Sequence, residues 1–317
     1  MFSNLITFLI CSAVYVLLLI FPISSVLAQP DNDLTHIYEA VHIDPIIVSA
    51  SRLNIKDFIN MVEKDETFYH AFANLRHIDY KSTNEIIFFN KKKNTIANYF
   101  SKTSQNIDAT GCRSMCIEEE NSSPGFYKKR SGEPKYYTAK LYHQLFFTKG
   151  TVCPTNMQKN KQSTMDYHIQ ELKKLIFSPG KKTEVPIIGG KTAIFTPKMA
   201  QYYDYAIEQK KVNNIDCHVF IAKVKDEYLQ RKEDKTVIKY LETYFEQLSH
   251  QVIGRRYVLE YNGIFSFNVS MYISVDKIGE GFYVPTNIIY DGYWNVPFKA
   301  SERCRFEMVL NNFKLPQ

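Results

Sequence analysis

The stretch FSFNVSMYISVD, residues 265–276, carries an apolar side chain at every second position. A period of two is typical of a β-strand that turns one face to the core and the other towards solvent. At about 3.3 Å per residue such a strand spans roughly 40 Å, whereas an average strand has about 5–6 residues. The pattern therefore predicts one long strand in an antiparallel sheet, whose apolar face consists of Phe265, Phe267, Val269, Met271, Ile273 and Val275.

Turn residues on both sides of this stretch extend the prediction to a meander of long strands. Asn262 and Gly263 link it to the segment 256–261, and residues 279–281 link it to the segment 282–290. Asp291 and Gly292 are interpreted as the next turn, because Asp-Gly is a common hairpin dipeptide. A last alternation follows at residues 304–310.

The upstream sequence supplies helices that can cover the sheet. Apolar residues recur with helical spacing in residues 55–62, and then at Phe68, Phe72 and Leu75. Helical spacing returns in residues 139–147 and 165–177, and a short helix is predicted at 197–203. Two hairpins are predicted at 80–103 and 126–137, a strand at 217–224, and a strand rather than a helix at 237–248. Because one apolar face of the sheet must be covered, the sequence predicts an α+β fold with helices on that face.

The beginning of the chain predicts export. Residues 1–30 contain no charged side chain, and 5–21 form a nearly continuous apolar run. Val26 and Ala28 are the small residues that signal peptidase requires, so residues 1–28 are interpreted as a cleaved signal peptide. The alternative is an uncleaved membrane anchor, for which 17 apolar residues are short. Residues 29–52 are predicted to be an extended arm, and 53–317 a single domain.

The composition and the charge of the chain limit the classes of binding partner that can be expected. The 317 residues are 45% hydrophobic and have a net charge of +6, which excludes a disordered chain. Lysine clusters at 91–93, 128–130 and 181–182 are either solvated loop tips or contacts to an anionic membrane surface. A nucleic-acid partner is not expected, because an exported protein does not ordinarily meet one.

Five cysteines follow the leader, an odd number that leaves at least one free or bonded to another chain. Cys153 is expected to pair with either Cys112 or Cys116, and Cys112 is preferred.

Signatures of enzymes and cofactors are weak. No nucleophile elbow, zinc-protease motif, phosphate-binding loop or dinucleotide fingerprint is present in the sequence. Glu66, His70 and His77 could share a helix face as metal ligands, although this spacing is also ordinary for a solvated face. Asp291 and Glu302 could supply paired carboxylates near Trp294. We therefore predict no cofactor, no metal and no catalytic residues, and leave open whether the protein is an enzyme.

Two family resemblances add to this interpretation. The first resemblance rests on segments of the C-terminal half: Tyr244-Phe245, the segment 252–261, the long strand to Val275, Lys277-Ile278-Gly279, Val284-Pro285-Thr286 and the last strand to Asn311. With these segments, the C-terminal half resembles Lol-type outer-membrane lipoprotein carriers. This resemblance implies a half-barrel of long strands whose concave face is covered by helices and holds acyl chains. Residues 65–76, Gly111-Cys112 and residues 290–294 resemble uncharacterised exported proteins of Bacteroidetes.

The leading hypothesis is thus a non-enzymatic envelope protein, in the periplasm or at the outer-membrane periphery, that shelters a lipid or acyl chain between sheet and helices. The expected lining is Phe265, Phe267, Val269, Met271, Ile273 and Val275, with Phe68, Phe72 and Leu75 as the lid. The same residues could instead form a dry core. Two alternative functions remain: a secreted hydrolase whose site is assembled from distant residues, and an accessory subunit of an outer-membrane complex.

Overall fold

The computed structural model describes residues 43–49, 54–154, 164–185, 187–229, 235–295 and 300–315. All of them belong to one compact unit, residues 37–317. The predicted signal peptide lies outside the described residues, as does most of the predicted arm, and the proposed domain boundaries stay predictions.

The central element is a 12-stranded sheet in which every neighbouring pair is antiparallel, and its spatial order is β1-β6-β7-β8-β9-β10-β11-β12-β2-β3-β4-β5. The strands are β1 (Ile43–Ser49), β2 (Asp79–Phe89), β3 (Thr95–Ile107), β4 (Arg113–Ser122), β5 (Thr151–Val152), β6 (Tyr203–Val212), β7 (Ile215–Val224), β8 (Ile238–Glu246), β9 (Val252–Asn262), β10 (Ser266–Gly279), β11 (Phe282–Asn295) and β12 (Glu302–Lys314). The sheet is open and curved, which confirms the predicted α+β half-barrel.

The described residues also form several helices. They are α1 (Ile55–Lys64), α2 (Thr67–Asn74), α3 (Tyr137–Phe146), α4 (Thr164–Phe177), α5 (Pro197–Ala200) and α6 (Asp226–Leu229), with 3-10 turns at Leu75–His77 and Gly189–Lys191. Asn54 begins α1 by accepting a hydrogen bond from the Lys56 N–H, as an N-cap residue does. None of the helices in the described ranges is both long and apolar enough to cross a bilayer.

The concave face is identified by the strand register. The buried side chains of β10, which include Val269, Met271 and Ile273, lie directly opposite Leu259, Tyr257 and Arg255 of β9. On the other side they face Gly292, Tyr290 and Ile288 of β11. Helix α2 packs against β11 and β9, so this is the face that the helices cover.

Two local predictions are wrong. Asp291 and Gly292 do not form a turn but lie inside β11, opposite Arg305 and Cys304 of β12. Gly292 is needed there because the Tyr290 side chain folds over it: a Cβ would lie 2.0 Å from the Tyr290 hydroxyl oxygen. The hairpin predicted at 126–137 is reduced to one bridge between Tyr127 and Pro134.

Candidate functional site

The nine residues predicted to line and close a ligand site are all buried or partly buried in the hydrophobic core. The side chains of Phe267, Val269, Met271, Ile273 and Val275 are buried on the concave face of β10. Phe265 is partly buried just before the strand and stacks on Phe267. Phe68 and Leu75 are buried and Phe72 is partly buried, which places the predicted lid on the core. Their role in binding stays a prediction.

The lid is held together by aromatic contacts between α2 and α4. The Phe177 ring lies 5.0 Å from Phe72, 5.5 Å from Tyr69 and 5.9 Å from Phe68, measured between ring centroids. Phe68 and Phe72 are also in edge contact at 5.5 Å. Three of these four contacts are edge-on, a preferred geometry for aromatic pairs, and the two helices form one apolar layer over β9 to β11.

A fully buried arginine joins this lid to the sheet. Arg255 of β9 and Asp65, which separates α1 from α2, form an ion pair at 2.9 Å with side chains only 0% and 3% exposed. Arg255 also donates to the Thr243 hydroxyl of β8 and to the Ile176 carbonyl near the end of α4. Its guanidinium lies 4.5 Å from the centre of the Phe68 ring. The Arg255 side chain, which belongs to β9, thus contacts β8, α2 and α4.

Three further hydrogen bonds strengthen the same junction. The Tyr257 hydroxyl donates to the Ile176 carbonyl. The second oxygen of Asp65 accepts from the N–H and the hydroxyl of Thr67, at 2.9 and 2.6 Å, at the start of α2. Burial raises the pKa of Tyr257 to about 12, so its hydroxyl keeps the proton that it donates.

Helix α3 covers the other part of the concave face, over β12, β2 and β3. The carboxylate of Glu302 on β12 accepts hydrogen bonds from the backbone N–H groups of Tyr137 and Thr138, at 2.6 and 3.1 Å. These are free N–H groups of the first helical turn, which attract negative charge. Further along α3, Tyr142 and Phe146 pack on the Phe306 ring.

A cleft of about 620 Å³ opens beside the junction of α1 and α2. Its lining includes Asp65, Thr67, His70, Phe245 and His250. A second cleft, of about 340 Å³, is lined by Asp79–Lys81, Ser104–Asn106 and Asn312–Lys314 at the ends of β2, β3 and β12. Neither is lined by any of the nine predicted residues, but the larger one reaches the carboxylate that binds Arg255.

The residues considered for hydrolysis or metal binding are not gathered into one site. Glu66 and His70 are exposed, with 3.8 Å between the carboxylate and the imidazole nitrogen. Asp291 faces Arg305 on the convex side of the sheet, whereas Glu302 is on the concave side at the start of α3. Within the described residues, no group of three or more His, Cys, Asp and Glu is arranged to hold a metal ion.

The cysteines and lysines complete the comparison with the sequence. Cys112 and Cys153 form a disulfide with an S–S distance of 2.08 Å. Cys116 is exposed and free, whereas Cys217 and Cys304 are buried thiols whose pKa values are raised by burial. The lysine clusters at 91–93, 128–130 and 181–182 are exposed.

The sequence patterns did not single out Arg255 or Asp65. A signal for Arg255 exists, because it occupies an inward position in the strand VIGRRYVLEYN, where apolar residues are expected. No local signal identifies its partner, which is 190 residues away along the chain.

Comparison with known proteins gives limited matches. No protein-family model and no curated protein sequence matches the chain. Among solved structures, it is similar to an outer-membrane lipoprotein-sorting protein domain from Vibrio parahaemolyticus, with 8% identity, 82% of this chain and 90% of that chain covered, and a TM-score of 0.26. It is also similar to a LolA superfamily protein from Nitrosomonas europaea, with 9% identity, 84% and 94% coverage, and a TM-score of 0.25. Strand order and register define the fold of this chain. The resemblance to exported proteins of Bacteroidetes stays a prediction.

Proposed function

We propose that this chain is an exported envelope protein, without enzymatic activity, that shelters an apolar ligand such as a lipid or acyl chain between the concave face and the helices. The observation that carries the proposal is the buried pair Arg255–Asp65 beside the apolar layer that α2 and α4 form over β9 to β11. A buried ion pair adds little net stability compared with an apolar pair of the same volume. It is useful where an interface must both close in one register and open again.

Charge at this position lowers the cost of opening. When the helices leave the sheet, Arg255 and Asp65 recover the hydration that they lost on burial, which offsets part of the cost of exposing the aromatic layer. The cleft beside α1 and α2 already brings solvent close to the Asp65 carboxylate. The lid junction is therefore the place where opening would begin.

The ligand would compensate for the apolar contacts that the lid gives up. Each buried methylene contributes about 0.8 kcal/mol, so an acyl chain of roughly 16 carbons contributes on the order of 12 kcal/mol before ordering costs. Such a ligand would occupy the concave surface that Phe68, Phe72 and Phe177 cover in the closed form. Ligand binding of this kind would take place in the periplasm or at the outer-membrane periphery of a Gram-negative envelope.

Native mass spectrometry tests the proposal directly. The mature protein is purified gently from its own envelope and measured before and after denaturation. The expected result is an extra mass that disappears on denaturation and extracts into organic solvent. A bare polypeptide mass, together with no saturable binding of the apolar probe N-phenyl-1-naphthylamine by the delipidated protein, would overturn the proposal and favour a dry core.

A further inference from the structure

One cross-strand row of the concave face changes its chemistry from one end to the other. Ile273, Ile288 and Met308 lie directly opposite one another on β10, β11 and β12, and all three are buried. The row continues into Asn84 of β2 and Ser101 of β3, both completely buried. Three apolar side chains are thus followed by two neutral polar ones on a continuous surface.

The polar end of the row is a small hydrogen-bonded cluster. The amide nitrogen of Asn84 lies 3.1 Å from the Ser82 hydroxyl and 3.3 Å from the Ser101 hydroxyl. Ser82 and Thr103 are joined by a 2.6 Å hydrogen bond between their hydroxyl groups. All four side chains are at most 2% exposed and share the concave face.

Within this cluster the amide oxygen of Asn84 has no hydrogen-bond partner. Its assignment as oxygen is supported by the other amide atom, which lies 3.5 Å from the Ser101 carbonyl and must therefore be the donor. A buried acceptor without a partner costs free energy, and such groups in native proteins call for a specific reason. A hydrogen-bond donor supplied by a ligand would be such a reason.

Neutral phenols and one exposed carboxylate surround the cluster. The phenols are those of Tyr80, Tyr99 and Tyr142, and burial raises the pKa of each of them, that of Tyr80 to about 12. The carboxylate belongs to Glu120 of β4, which is paired with Ser101 of β3, is exposed and accepts a hydrogen bond from Tyr127. An anionic group placed against Asn84 would lose its hydration and find no counter-ion among these side chains.

We propose that Asn84, with Ser82, Ser101 and Thr103, is the head-group site for a neutral amphiphile. Its hydroxyl or amide N–H donates to the Asn84 oxygen, while its acyl chain runs over Met308, Ile288 and Ile273. This inference rests on the proposed function and deepens it by naming the ligand class. Neutral lipids with a donor next to the chain fit the site, whereas esters without a donor and anionic fatty acids do not.

The test compares three probes on the delipidated full mature protein, by displacement of N-phenyl-1-naphthylamine. These are 1-monopalmitoylglycerol, methyl palmitate and, at pH 8, palmitate. We expect 1-monopalmitoylglycerol to bind about tenfold more tightly than either of the others, which corresponds to about 1.4 kcal/mol. Equal affinities in the wild-type protein would overturn the inference and leave the proposed function standing. If none of the three binds, both fail.

Variants assign the preference to Asn84. Asn84→Leu should lose the preference for 1-monopalmitoylglycerol and keep its affinity for methyl palmitate. Thr83→Val, on the opposite face of the same strand, is the matched control and should behave like the wild type. An Asn84→Leu protein that retains the preference would overturn the assignment and indicate that a water molecule satisfies the amide. The wild-type comparison decides the question without any variant if Asn84→Leu does not fold.

Discussion

At the residue scale, the Arg255–Asp65 pair makes a prediction in which stability and binding change in opposite directions. Asp65→Asn removes the charge and keeps an oxygen that can accept from Thr67. Because Arg255 is then buried without a counter-ion, we expect the free energy of unfolding to fall by about 3 kcal/mol. The open form becomes more populated, so the affinity for N-phenyl-1-naphthylamine should rise several-fold. Urea titration and probe fluorescence measure the two effects.

The control for this variant is an exposed ion pair of the same sheet. Asp291 and Arg305 are 3.9 Å apart with side chains 40% and 38% exposed, so Asp291→Asn should change stability by less than about 1 kcal/mol. It should leave probe binding unchanged, because Asp291 is on the convex side. If Asp65→Asn lowers stability and leaves the affinity of a saturable, single probe site unchanged, the pair is a structural contact and does not control opening.

At the element scale, Glu302 is expected to determine the start of α3. Its carboxylate satisfies two free N–H groups of the first turn and lies near the positive end of the helix. Glu302→Ala should lower the free energy of unfolding by about 1–2 kcal/mol, whereas Glu307→Ala, on the convex face of the same strand, should change it by less than about 0.5 kcal/mol. Hydrogen exchange should show earlier opening of α3 in the first variant alone; equal protection in both would refute this.

The disulfide is a second feature at this scale, because it links β4 and β5, the last two strands at one edge of the sheet. Cys112 precedes β4 and Cys153 follows β5, with a separation of 41 residues. Closing a loop of this length is worth about 4 kcal/mol in the chain-entropy model. Reduction, or the Cys112→Ser variant, should lower the unfolding midpoint in calorimetry, and Cys116→Ser should not. A reduced protein with an unchanged midpoint would show that this edge unfolds separately from the core.

How well each element could be predicted depended on its position in the sheet. β10 and the helices α1 and α2 were predicted because each has one buried and one exposed face, which gives a clear period. The edge-proximal strand β4 gave no signal because Glu118, Glu119 and Glu120 are consecutive and exposed there. In β11, a glycine that makes room for a neighbouring ring was interpreted as a turn.

At the scale of the whole molecule, the candidate site arises from register and was not accessible from local patterns. The row that joins Ile273 to Asn84 depends on the pairing of β10, β11, β12 and β2, and the last of these comes from the other end of the chain. The composition of each strand could be predicted, but the neighbour of each residue follows only once the order of twelve strands is known. The ligand-lining residues were therefore predicted as one strand rather than as a row across several.

The stability of the whole molecule should decrease in mild acid because two of its imidazoles are partly buried. His143 of α3 lies between Tyr99 and Phe147, and burial lowers its pKa; burial also lowers the pKa of His218, beside Phe58. In the unfolded chain both take up a proton near pH 6.5, before the folded form does. The unfolded state then binds more protons, so the free energy of unfolding falls as the pH decreases below about 6.5.

Carboxylates titrate at lower pH, so a series of thermal unfolding curves from pH 7.5 to 5.5 isolates the two histidines. His143→Phe keeps an aromatic ring that can pack on Tyr99 and removes the titrating group, and its midpoint should depend less on pH than that of the wild type. Parallel curves for wild type and His143→Phe would mean that the buried Nε2, which has no hydrogen-bond partner, reaches water in the folded protein. Helix α3 would then already be detached from β3 in the most populated form of the folded protein.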